Sequence, residues 1–423
     1  MVTTGEVTEA APGDGGAEQT GSHLPHPARS RRLSGVDATR GLALLGMMSV
    51  HLLPIRDDDG TASAAQLIAG GRSAATFAVL AGVGLALSTG GTRPLGGRSW
   101  SERAAAITVR AAGIGFVGLA LGHTDPGVLV ILPYYALLFL FALPLLPLGP
   151  RPLLALAAGA AVVVPVLSFV LRAEVDANIF SNPNFYTLVE EPGDLLVALL
   201  LTGEYPVLAW TTYLCVGLAM GRLPLRSTRT AAGLLVAGAA VALGASALSR
   251  LLLGPLGGLD RLVASDDSLG SATQLEVALE IGKAGNVLTD SWWWLAVTSP
   301  HSSTPLDLLH TAGFAAALLG ALLLIAATRV GQLLVVPIAA AGSMTLSLYT
   351  GHVLLQASDL MPEDSLTDYV VQVTAALSVA VCWRAWFGRG PIEEVVARLA
   401  GRASRAVAPP GGDAGPPGQG SVA

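Results

Sequence analysis

The chain has 423 residues, of which 52% are hydrophobic and only 13% charged, and it carries a net charge of −6. Soluble domains hold about 25% charged residues, so the composition excludes an ordinary soluble protein and fits an all-α, polytopic membrane bundle. The acidic balance argues against a nucleic-acid partner. The two cysteines, Cys215 and Cys382, both lie in apolar segments and offer neither a disulfide framework nor zinc-ligand spacing.

Residues 1–33 are rich in Gly, Thr and Pro and are expected to form a disordered cytoplasmic tail. They lack the early basic start and apolar run of a signal peptide. Ten apolar stretches follow, each near the length that crosses about 30 Å of hydrocarbon: 36–55, 66–89, 104–122, 127–148, 152–171, 205–222, 230–252, 306–328, 333–356 and 367–387. Together they predict one transmembrane domain over 34–401, with outer loops at 172–204 and 253–305 and a disordered cytoplasmic tail over 402–423.

Loop charges orient this array. One set of loops holds Arg93, Arg98 and Arg103, then Arg151, then Arg222, Arg226 and Arg229, then Arg329, with Arg389, Arg398, Arg402 and Arg405 after the last span. The alternate loops are acidic, with Asp57, Asp58 and Asp59, then Asp125, then Glu174, Asp176, Glu190, Glu191 and Asp194, then Asp260, Asp266 and Asp267, then Asp359, Glu363 and Asp364. Positive charge marks the cytoplasmic side, so ten spans and two cytoplasmic termini are expected.

The first span is the most unusual. In GVDATRGLALLGMMSVHLLP, Asp37 and Arg40 stand at one end and His51 at the other. At 1.5 Å per residue, Asp37 and His51 are about 21 Å apart along the axis. At about 100° per residue, Arg40 and His51 share a face to within about 20°, and Asp37 falls within about 40° of it. Charged groups in a span face the bundle interior or a pathway. Two roles stay open for Asp37 and Arg40, coenzyme binding or fixing the helix end, and His51 is either functional or satisfied by a neighbouring helix.

Later spans place more chemistry on the expected outer side. Five of the seven histidines fall there: His51, His123, His301, His310 and His352. Span nine carries Thr345, Tyr349, His352 and Gln356 at helical spacing. Arg72 starts span two with Thr76 one turn on, and Asp307 and His310 start span eight. A neutral imidazole suits general-base work near pH 7, and arginine suits phosphate or carboxylate. A metal site is not expected, because no dense ligand spacing such as HxxxH occurs. The loop helix ATQLEVALEIGKAG precedes SWWWLAVTSPHSSTP, whose Trp292, Trp293 and Trp294 either form an interfacial belt or line a lipid-facing cleft. No Walker, GxSxG or Rossmann pattern is present.

Several stretches resemble a known group. GVDATRGLALLGMMSVH is similar to the first helix of the DUF418 (YeiB-like) and heparan-α-glucosaminide N-acetyltransferase-like (DUF1624) membrane proteins, which share a D-x-x-R-G start, here Asp37, Arg40 and Gly41. GGRSAATFAVLAGVGLAL, EYPVLAWTTYLCVGLAMGRL, TSPHSSTPLDLLHTAG, AGSMTLSLYTGHVLL and WFGRGPIEEVVARL extend the likeness over nearly the whole chain between the tails. The resemblance implies an acyltransferase that moves an acyl group, acetyl in the characterised relative, from cytoplasmic acyl-CoA to an amino sugar across the membrane, with a histidine implicated. That relative's histidine lies between its first two helices, so the assignment of His51 comes from its position and chemistry.

The expected function is therefore transmembrane acyl transfer from acetyl-CoA or another acyl-CoA, in the cell membrane. Asp37 and Arg40 bind the coenzyme, with Arg98 or Arg103 as further phosphate contacts. His51 and His352 are catalytic, either as general base toward the acceptor or as a transiently acylated group, and Arg72, Tyr349, His301 and Asp307 bind the acceptor. The partners are the lipid bilayer and a small-molecule or glycan acceptor, with a homodimer left open. The alternative is a transporter or exporter using the same residues as a polar pathway. That reading favours paired broken helices, and the sequence displays only Pro144, Pro147 and Pro165 near helix ends or inside one helix.

Overall fold

The structure is a computed structural model describing residues 33–94, 98–174, 182–265, 270–282 and 287–407. The expected tails, apart from Leu33 and 402–407, lie outside these residues, as do Asp176, Asp266, Asp267 and Lys283.

Among the described residues the fold is entirely helical, with no strand beyond an isolated bridge between Arg56 and Ala62. The helices are α1 (Ser34–Leu52), α2 (Ala64–Ala69), α3 (Arg72–Ser88), α4 (Arg98–Gly122), α5 (Leu132–Ala142), α6 (Pro150–Arg172), α7 (Phe185–Glu190), α8 (Pro192–Val197), α9 (Val207–Gly221), α10 (Thr228–Leu253), α11 (Gly258–Val263), α12 (Ala272–Ile281), α13 (Pro305–Ala327), α14 (Arg329–Gly342), α15 (Thr345–Gln356), α16 (Ser365–Trp386) and α17 (Pro391–Val407). Local chemistry sets many of the starts. Ser227, Thr304, Thr328 and Asp364 each accept a backbone N–H from the first turn of the helix that follows, satisfying donors that a helix start leaves open.

All ten expected spans coincide with helical segments, but not all are straight crossings. Among the described residues, six segments are long and apolar enough to cross a membrane, or eight if each of two bent pairs is counted as one span. The segment Leu132–Leu145 is too short by that measure, and α1 carries Asp37, Arg40 and His51, which lower its hydropathy. The chain is thus a polytopic helical membrane protein, and among the described residues six to eight segments meet this measure of length and composition. Exposed Val162, Val163 and Val170 on α6, Val236 and Leu243 on α10, and Leu333 and Leu334 on α14 supply an apolar surface of the kind lipid requires.

Two segments are bent where the sequence shows no marked break. Pro192–Thr202 meets α9 at 53°, and α14 meets α15 at 66°. The second break divides expected span nine at Ser343 and Met344. At the C-terminus, α17 runs through the expected boundary at 402 to Val407.

The polar first span is the axis of the bundle. Helix α1 borders α2, α3, α13, α14, α15 and α16. Around it, α3 packs along α9, α9 along α6, α10 along α13, and α4 against α5 and α17. The main core includes Leu44, Met47 and Met48 of α1, the residues lying between its polar ends.

Candidate functional site at the two ends of the first helix

At the Asp37 end, the D-x-x-R-G segment meets the α14–α15 break. Arg40 Nη1 donates to Asp37 Oδ1 and to the carbonyl of Gly342, the last residue of α14, each at 3.2 Å. Gly41 and Gly342 make the crossing close: a Cβ on Gly41 would run into the Ile338 carbonyl, and one on Gly342 into the Asp37 carbonyl. The other side of the break is held by α17. Glu393 Oε1 accepts the N–H groups of Leu346 (2.7 Å) and Ser347 (3.1 Å), and Oε2 accepts the Ser347 hydroxyl. A cation thus sits at the C-terminus of one half-helix and an anion at the N-terminus of the next, the arrangement that helix dipoles favour.

Arg40 is half-buried. A second arginine joins it: Arg110 of α4 is exposed, lies over the Phe139 ring with 5.5 Å to its centre, and is within electrostatic reach of Arg40 and Glu393. Arg103 is exposed on the same helix, while the side chain of Arg98 lies outside the described residues.

At the other end of α1, two expected catalytic residues meet. His51 Nδ1 and His352 Nε2 are 3.0 Å apart. The rings are within 4° of parallel with centres 5.3 Å apart. That spacing is the nitrogen–nitrogen distance plus about one ring radius on each side, so the imidazoles lie in one plane and share an in-plane hydrogen bond rather than stacking face to face. His352 is 3% exposed, whereas His51 is only half-buried. Two further side chains on α16 continue the chain: His352 Nδ1 lies 2.7 Å from Gln372 Oε1, and Gln372 Nε2 donates to Asp368 Oδ1 at 2.8 Å. The sequence reading did not single out Gln372 or Asp368. Their i, i+4 spacing on an otherwise apolar helix was the available signal.

The remaining residues form neighbouring clusters. His301 is within electrostatic reach of His51, lies 3.7 Å from Glu204, and meets the Tyr205 ring edge-on. Its loop is strained, with positive φ at His301 (61°) and Ser303 (51°), a conformation that L-residues hold only when the surroundings impose it. Asp307, 2% exposed, braces that loop by accepting the Ser303 N–H at 3.0 Å. Arg72 pairs instead with His310, Nε to Nε2 at 3.0 Å, and His310 Nδ1 meets Ser246 Oγ at 2.8 Å. The Tyr349 hydroxyl accepts the Ile131 N–H at 3.3 Å, tying α15 to the start of α5. His123 accepts the Phe185 N–H.

Of the three tryptophans, Trp292 and Trp293 line a cleft with Leu252, Leu295, Ala296, Pro305 and Leu306, and Trp294 is buried with its Nε1 on Asp290. Among the described residues, no group of three or more His, Cys, Asp or Glu side chains is arranged to hold a metal ion.

A comparison with individually characterised proteins returned no match. A comparison with family profiles matched heparan-alpha-glucosaminide N-acetyltransferase, catalytic, over residues 32–253. The matched stretch holds α1 to α10 and therefore Asp37, Arg40, His51, Arg72 and Arg110, whereas His352, Gln372 and Glu393 come from helices beyond it. As the profile spans more than half of this polytopic helical protein, the chain belongs to the heparan-alpha-glucosaminide N-acetyltransferase catalytic family.

Proposed function

We propose that the protein is an integral-membrane acyltransferase of the cell membrane that moves an acyl group, acetyl in the simplest case, from cytoplasmic acyl-CoA to a hydroxyl or amine at the outer face. The observation that carries this reading is the His51–His352 pair, with half-buried His51 on the same helix as Arg40. The arginine alternation of the loops supports the orientation, with the Asp37 end cytoplasmic.

In this reading Arg40 and Arg110 hold the coenzyme phosphates, a task suited to guanidinium groups. His51 is the general base. Its Nε2 takes the proton from the acceptor as the acceptor heteroatom attacks the thioester carbonyl. The carbon–sulfur bond breaks, and the coenzyme thiolate leaves and takes that proton from the imidazolium. His301 and Glu204 border the acceptor side, and a sugar hydroxyl or amine fits their polar chemistry.

The two helix breaks favour a second reading, a transporter or exporter of a small molecule or lipid-linked precursor. Transport sites of that kind use the freed backbone groups of a break as ligands. At the α14–α15 break those groups are instead taken by Arg40 and Glu393, which favours acyl transfer.

Radiolabelled acetyl-CoA supplied to inverted vesicles, with glucosamine as the probe acceptor, separates the two. His51-dependent label on glucosamine or on the protein supports transfer. Solute flux without label would sink it.

A further inference from the structure

We infer that Asp368 and Gln372 are positioning residues that fix the tautomers of His352 and His51, leaving the Nε2 of His51 bare to accept a proton. The catalytic consequence rests on the acyl-transfer reading; the tautomer assignment does not.

The hydrogen bonds run in one polarity once Asp368 is the acceptor at the end of the chain. With the Asp368 carboxyl as acceptor, the Gln372 amide turns its NH2 toward Asp368 Oδ1, 2.8 Å away. Its Oε1 then faces His352 Nδ1 at 2.7 Å and must accept, so His352 carries its proton on Nδ1. His352 Nε2 is left with a lone pair and accepts from His51 Nδ1–H across 3.0 Å. His51 Nε2 is consequently unprotonated. Every link after Asp368 is dictated by the one before it. Gln372 and His352 are each 3% exposed and Asp368 is 8% exposed, so water does not readily replace a partner.

The amide also limits what the chain can move. Unlike a carboxylate, an amide oxygen is too weak a base to take a proton from imidazolium, so a proton captured by His51 is shared with His352 and goes no further. It remains beside the leaving thiolate, where the transfer step needs it. The sequence pattern fits this economy of donors and acceptors. Asp368 and Gln372 stand four residues apart on α16, so one helix face presents the pair to His352.

The test uses the full chain in lipid nanodiscs, labelled with 15N in the histidine rings, with His51→Asn and His352→Asn assigning the two resonance sets. In the native protein both rings are expected to show protonated Nδ1 and bare Nε2. In Gln372→Leu the acceptor is gone, and the two rings should lose the native pattern. Gln372→Glu sets two carboxyl groups in contact that share one proton. With that proton on Glu the residue donates to Asp368 and accepts from His352, so the native pattern should return while the proton is held and be lost as rising pH removes it. Asp368→Asn should give a mixture because its amide accepts either orientation. Alongside, acetyl-CoA turnover with glucosamine as probe should fall about 10²-fold in kcat for Gln372→Leu, with little change in the KM for acetyl-CoA. A native ring pattern in Gln372→Leu overturns the inference. An altered pattern with unchanged kcat leaves the tautomer assignment standing and removes His51 as the base.

Discussion

Arg40 and Gly342 are 302 positions apart in sequence and 3.2 Å apart in the fold. This contact closes the end of α14 inside a membrane protein, where an unsatisfied backbone group costs several kcal/mol. A bond to a charged group contributes about 1.5–3 kcal/mol, and partial exposure of Arg40 reduces that. Arg40→Ala should therefore lower stability by about 1 kcal/mol, read as a drop in melting temperature in detergent. Glu393→Ala strands the N–H groups of Leu346 and Ser347 and should cost about 1–3 kcal/mol, with Glu393→Gln in between. Undisturbed melting in Arg40→Ala, together with a raised KM for acetyl-CoA, would mean that Arg40 serves the coenzyme and does not pin the break.

The glycines at the same crossing make a separate prediction. A methyl on Gly41 or Gly342 meets a backbone carbonyl of the facing helix, which no side-chain rotation relieves. Each Gly→Ala change should destabilise by about 1–3 kcal/mol. Gly244 on α10 is the control, since a Cβ there meets nothing within 4 Å. Gly244→Ala should be neutral or stabilising by up to about 1 kcal/mol. Thermal melts of the three variants side by side check the contrast.

What was legible in the sequence followed from short-range periodicity. The polar face of α1 and the Tyr349–His352 stripe of α15 are properties of single helices, and both were readable at 3.6 residues per turn. His51 and His352 were each identifiable as bases, but their in-plane bond joins two helices 301 positions apart, and nothing local specifies it. Gln372 and Asp368 carry a local signal in their i, i+4 spacing, but nothing local ties them to His352 on another helix. Glu393 had none: it sits on an amphipathic helix that reads as a cytoplasmic flank, yet it caps α15 from 46 and 47 positions away. The 66° break was invisible for a related reason. Gly-Ser-Met holds no proline, and the bend is stabilised by partners from α1 and α17.

Arg222 offers the strongest test of packing away from the site. It is 4% exposed, and its guanidinium donates to the carbonyls of Ala86, Thr89 and Gly91 at 3.0 Å each, to the Leu146 carbonyl at 2.6 Å and to Thr89 Oγ1 at 3.2 Å. One side chain thus gathers the end of α3 and the segment after α5 onto α9. Arg222→Met should cost about 3 kcal/mol or more through stranded buried carbonyls. Arg222→Lys keeps the charge but has three donors where five contacts exist, so it should still lose about 2 kcal/mol. Equal melting of Arg222→Lys and the native chain would contradict this.

The loop before α16 carries a pH-dependent contribution. Asp364 Oδ2 accepts the Thr367 N–H at 2.8 Å. Hydrogen bonds from the side chain and backbone of Thr367 hold its carboxyl below the ordinary aspartate value of 3.8. A value depressed in the folded state means that ionisation favours folding. The contribution is fully present above the unfolded value and is lost as pH falls through the folded one. The melting-temperature gap between the native chain and Asp364→Ala should therefore be constant from neutral pH down to about 5 and should narrow as acid protonates the cap. Asp364→Asn keeps an acceptor without a titrating charge, so its stability relative to Asp364→Ala should not vary with pH. A gap that widened on acidification would show that the folded state holds this carboxyl above its unfolded value, contrary to the capping geometry.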